Sequence, residues 1–104
     1  MGIRQNTVSR RRERIAQQRD RLIDRIRETL LHFGGEAHRR DVIVHLAKES
    51  GLDWRNVPED LEAEVIQSFE ETWRDESRRA AYGFHLKFGE GSHRWSVRTP
   101  EMAH

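Results

Sequence analysis

Arg10, Arg11, Arg12 and Arg14 make the densest group of residues with an evident chemical use in this chain. A guanidinium carries five donors in a planar fork and holds its charge at physiological pH, so a run of them suits phosphate oxygens. Arg4 extends the run toward the start of the chain. Each phosphate neutralised on duplex DNA releases counterions and adds about −0.9 to the slope of log affinity against log salt. Such contacts grip a backbone and read no sequence. The plain alternative is a solvated or protein-binding helix face.

Other candidates lie further along. Arg39 and Arg40 open a helical pattern, where a cation pair suits a phosphate about as well as ordinary surface. Lys87, Arg94 and Arg98 share one face of an alternating segment with His85, which makes a coherent basic patch. Gln67, Arg74 and Arg78 fall on the outward side of an apolar stripe. His45 and Glu49 have the i, i+4 spacing of paired metal ligands, but HExxH is absent and no third ligand stands nearby, so no metal or other cofactor is expected. Glu70, Glu71, Asp75 and Glu76 sit on a helix surface, where carboxylates are solvated and untuned. No nucleophile motif, phosphate loop or dinucleotide fingerprint is present, so the chain does not read as an enzyme. Trp73 and Trp95 lie on apolar stripes and read as core, whereas Trp54 falls in a loop; any of the three could stack on bases.

The arginines are unevenly placed. Residues 1–27 hold nine arginines against Glu13, Asp20 and Asp24, whereas the rest of the chain holds ten basic and fifteen acidic residues. The formal net charge of +1 thus hides a cationic arm on an acidic body. A chain of 104 residues is long enough for one domain with a small core. Cysteine is absent, which excludes disulfides, thiolate nucleophiles and Cys-containing zinc sites. Apolar runs are too short for a membrane span or a secretory signal, and Val8 with Ile15 gives the arm too thin an apolar face for a membrane surface. A cytoplasmic protein is expected, with no membrane partner.

The elements that must position these residues can be read from spacing. A first helix is expected from Thr7 or Ser9 to Phe33, with Val8, Ile15, Leu22, Ile26, Leu30 and Phe33 on its stripe and Gly34 and Gly35 ending it. Val8, Ile15 and Leu22 are one heptad apart, which leaves a homodimer through this helix open, although the intervening positions are polar. A second helix is expected over Arg40 to Ser50, with Val42, Ile43, Leu46 and Ala47 inward and Gly51 as its cap. GLDWRNVP reads as a loop with Trp54 and Val57 as plugs, and Pro58 as the first residue of a third helix. That helix repeats Leu61, Val65, Phe69 and Trp73, widened by Ile66 and Ala80, and is expected to reach about Arg79. FHLKF and HRWSV then alternate around GEGS as a hairpin, with Phe84, Leu86 and Phe88 inward opposite Trp95 and Val97.

Three helices followed by a glycine-tipped hairpin, with the short link GGEAHRR between the first two, resemble a winged-helix domain of the helix-turn-helix superfamily. GGEAHRRDVIVHLAKESGL is similar to the segment by which N-terminal winged-helix domains of Mrr-type restriction proteins enter their second helix. GSHRWSV looks like the second wing strand of those domains, while the residues between do not carry the likeness. The resemblance implies an α+β, mainly α fold: a winged-helix domain over residues 22–99 with a C-terminal wing, a basic helical arm over 1–21 and a tail over 100–104. It also implies a helix in the major groove and a wing on the backbone or minor groove.

The third helix departs from that pattern, because Glu59, Asp60, Glu62 and Glu64 crowd the end that would meet DNA. Acidic residues there also complement the helix dipole. Two expectations therefore stand. One is a small DNA-binding protein, a transcriptional regulator or phage-type accessory factor, held to duplex DNA by arm and wing. The other is an adaptor that grips a protein partner with its acidic third helix.

Overall fold

A computed structural model describes residues 21–98 of the chain, so Arg4, Arg10, Arg11, Arg12 and Arg14, and with them most of the basic arm, lie outside the described residues, as does the tail. The fold is α+β and mainly helical, with four helices and one small antiparallel sheet. Helix α1, described from residue 21, runs to residue 32. Strand β1 (Glu36–His38), helices α2 (Arg39–Glu49), α3 (Glu59–Arg74) and α4 (Glu76–Tyr82), and strands β2 (Phe84–His85) and β3 (Arg94–Val97) follow. Among the described residues no helix is long and apolar enough to cross a membrane.

Each helix ends for a local reason. After α1, the Gly35 N–H reaches the Leu30 carbonyl and the Gly34 N–H the Leu31 carbonyl, the paired bonds of a Schellman turn, with Gly34 at φ +86°. Helix α2 starts where the His38 Nδ1 accepts the Arg40 N–H at 3.0 Å. Its inward face is Val42, Ile43, Leu46 and Ala47, as the spacing requires. Pro58 stands one place before α3 instead of inside it and offers no side-chain cap, so Glu59, Asp60 and Glu62 compensate that end by charge.

The long third helix expected from the stripe is broken. Asp75 takes an extended conformation (φ −87°, ψ 109°) and its carboxylate accepts the Arg78 N–H, which starts α4. Arg79 fastens the bend by donating to the Trp73 carbonyl at 3.2 Å while lying over the Trp73 ring. The break places Arg78 on α4 and leaves Ala80 exposed, so Ala80 does not widen the α3 stripe.

GGEAHRR is more than a link, because Glu36–His38 forms a strand that pairs with β3 in the register Ala37 to Trp95. With β2 on the other side, the sheet order is β1-β3-β2. The hairpin ladder is shorter than the alternation suggests: β2 pairs only at Phe84 and His85, and a turn closes from Gly89 N–H to the Leu86 carbonyl. Past that turn the strand phase is lost, so Phe88 points out and is 70% exposed rather than facing Trp95.

The core gathers Ile23, Ile26 and Leu30 of α1, the inward face of α2, Val65 and Phe69 of α3, and Phe84, Leu86, Trp95 and Val97 from the hairpin segment. Ile23 replaces Phe33 on the buried side of α1, since Phe33 lies past the last turn and is exposed. Phe69 stacks on Trp95 at 4.0 Å between centroids and 5° between planes, and Phe84 leans on Phe69 at 4.8 Å. Within this core the Thr72 hydroxyl is fully buried and has no hydrogen-bond partner among the described residues.

Gly83 ends α4 at φ +73°, and a Cβ there would collide with the Arg98 carbonyl, while its own carbonyl accepts the Arg98 N–H. Gly83→Ala is therefore expected to destabilise the fold by about 1–3 kcal/mol in denaturant unfolding. Thr72→Val should act in the opposite direction, raising stability by up to about 1 kcal/mol, because it removes a buried hydroxyl that bonds to nothing. A loss of stability in that variant would show that the hydroxyl is satisfied after all.

Candidate nucleic-acid interface

Arg39 and Arg40 occupy the first turn of α2. Arg39 donates its backbone N–H to the His93 carbonyl at 2.7 Å, which ties the start of α2 to the start of β3. The His38 ring meets His93 edge-on at 5.9 Å, and His38 pairs with Arg94 across the sheet. Arg39, Arg40 and Arg94 are thus held at one end of the β1–β3 pair. The guanidinium groups of Arg39 and Arg40 enter no ion pair among the described residues.

Arg94 is differently placed. Its Nε donates to the Glu36 carboxylate at 3.4 Å across β1 and β3. That hydrogen bond, then the charge of Arg94, then that of Lys87, hold the Glu36 carboxyl below its ordinary value of 4.5. Arg98 closes the other edge, its Nη2 lying 3.1 Å from the His85 Nε2. Of the residues expected to share this face, Arg94 is paired with an acid, Arg98 with His85, and Lys87 falls in the turn past the last paired residue of β2.

On α3, Gln67 donates to Glu71 at 3.0 Å and Arg74 approaches Glu70 at 3.7 Å. Both predicted contacts are thus engaged along their own helix. Arg74 also borders a cleft of about 150 Å³ between α3 and the hairpin tip, floored by Phe69, Trp73, Leu86 and Trp95 and rimmed by Glu70 and Glu90. Arg78 lies on α4, past the bend at Asp75.

Two arginines counted with the cationic arm are structural. Arg27 donates to the Tyr82 carbonyl at 3.1 Å and joins α1 to the end of α4. Arg25 reaches Glu49 and Ser50 at the end of α2. Glu49 also holds His45 at 2.6 Å, and the His32 ring stacks on His45 at 4.8 Å. No group of three or more His, Asp or Glu residues among the described residues is arranged to hold a metal ion.

Sequence reasoning picked out Trp54 but missed the two cations set against it, Lys48 in the last turn of α2 and Arg55 in the loop that follows. Trp54, expected as a plug, is 42% exposed, and the Lys48 ammonium and Arg55 guanidinium lie 4.4 and 5.1 Å from its ring centroid. Lys48 precedes the loop and Arg55 follows the indole directly, so no periodicity announces the group. Val57, the other expected plug, does pack against the core. No protein-family model, curated protein or solved structure gives a significant match to the chain.

The Glu36–Arg94 pair sets a pH dependence. A carboxylate lowered in the folded state stabilises that state above its unfolded value and ceases to do so as pH falls through the folded value. The contribution is therefore complete above 4.5 and fades below it. Arg94→Gln should return the Glu36 carboxyl toward 4.5, read by carboxyl-carbon NMR titration. An unmoved Glu36 titration in that variant would remove Arg94 as the cause.

Proposed function

We propose that this is a small DNA-binding protein of winged-helix type, which grips duplex phosphates through its basic arm and presents Arg39, Arg40 and the hairpin face to the same backbone. The observation that carries the reading is the charge division: nine arginines fall within residues 1–27, and an acidic body follows. The order of helices, with a hairpin after the last, supports the winged-helix assignment, and the two unpaired guanidiniums at the start of α2 give the folded body a phosphate contact of its own. Helix α3 contributes little to base reading, since its first turn is acidic and Gln67 and Arg74 are bound to neighbouring carboxylates. Binding is then strong at low salt and weakly selective for sequence.

A second reading has its own support. Glu70 of α3 and Glu90 of the hairpin turn line the cleft beside its aromatic floor, an arrangement that suits an apolar side chain from a basic protein partner. Under that reading the fold is an adaptor and the arm a second contact.

The test is a titration with labelled duplex DNA across a salt series. A chain lacking residues 1–14 is expected to bind more weakly and to flatten the slope of log affinity against log salt by up to about 4.5 units, from the loss of five arginines. Replacing Arg39 and Arg40 together by Ala should weaken binding evenly across duplex sequences, flattening the slope by about 2 units. Failure of the full chain to bind any duplex at low salt overturns the DNA reading and leaves the adaptor.

A further inference from the structure

We infer that Trp54, with Lys48 and Arg55, forms a stacking site for an unpaired nucleic-acid base, distinct from the phosphate contacts of the arm. Three observations converge on it. The indole is 42% exposed, whereas Trp95 is 2% exposed and serves the core. Two cations lie against it, at 4.4 and 5.1 Å. Neither cation has a carboxylate partner among the described residues, because the acids nearest in sequence are otherwise engaged: Glu49 holds Arg25 and His45, and Asp53 accepts the Arg55 backbone N–H at 3.0 Å.

The loop is fastened on both sides of the ring. Leu52 donates its N–H to Ala47 and Gly51 to Lys48, which closes the end of α2, and Asn56 donates to the Asp53 carbonyl. The indole is thus offered by a backbone already in place, which reduces the ordering cost of binding. A base brings a π-face and a phosphate together. Stacking on the indole is tolerant of base identity, and Lys48 and Arg55 can exchange their ring contact for the flanking phosphates without breaking an ion pair. An anionic membrane fits less well, since the residues next to Trp54 in the loop include Asp53, Arg55 and Asn56, and Leu52 is the one other large apolar residue of that loop that is exposed.

The inference rests on the nucleic-acid reading and reaches beyond it, from duplex backbone to exposed base. Its test is tryptophan emission of the full chain titrated with oligothymidylate, with a duplex of equal length and with phosphatidylserine vesicles, alongside labelled-DNA anisotropy. Oligothymidylate should quench the emission. Trp54→Phe should abolish the quench, because Trp73 and Trp95 remain as the blank, and Trp54→Ala should weaken oligothymidylate binding by about tenfold, as loss of one base stack does. Replacing Lys48 and Arg55 together by Ala should weaken binding while keeping the quench at saturation. Binding without a quench, or a quench that survives in Trp54→Phe, overturns the stacking site and leaves the arm reading intact. Absence of binding to either nucleic acid overturns both, and a response to vesicles alone overturns the choice of ligand.

Discussion

The stacking of Phe69 on Trp95 is the contact on which the rest of this fold depends. It joins the middle of α3 to the central strand of the sheet, and Phe84 completes the seam from the neighbouring strand. Aromatic pairs of this kind contribute about 0.5–1.5 kcal/mol beyond the area they bury. Their larger effect here is positional. Because β3 pairs with β1 on one side and β2 on the other, fixing Trp95 fixes the whole sheet. Strand β1 leads directly into α2, so the same seam sets where Arg39 and Arg40 stand.

Charge in this chain divides into cations that hold the molecule together and cations left for something else. Arg25, Arg27 and Arg79 bind carbonyls or side chains on other elements, and Arg94 is shared with Glu36. Arg39, Arg40, Lys48 and Arg55 enter no ion pair among the described residues. Counting arginines by segment therefore overstates what α1 can offer a phosphate. It also understates α2, an eleven-residue helix that carries Arg39 and Arg40 in its first turn and Lys48 in its last.

Spacing made the helical faces legible because burial along a helix repeats with the backbone turn. Val42, Ile43, Leu46 and Ala47, and Val65 with Phe69, are inward for that reason. What escaped was set by contacts far away in sequence. Three residues of β1 are too few to show an alternation, and they become a strand only because β3 lies alongside. The bend at Asp75 leaves no gap in the apolar pattern; its trace is one capping aspartate followed by a glutamate. Phe88 follows the alternation of its strand but lies beyond the last paired residue, where the pleat no longer dictates direction. Of the candidate site, the alternation of Arg94 with Arg98 and the loop position of Trp54 were legible, while Glu36 beside Arg94 and the two cations against the indole were not, since both depend on how segments fold back.

The sheet has a further property that follows from its lengths. Its two outer strands are three and two residues long, and the only longer strand has neighbours on both sides. Edges so short expose few free amides and carbonyls in a row, so they are poor templates for another chain's strand. Growth of the sheet from copy to copy is thereby blocked, even in a domain whose core leans on a hairpin.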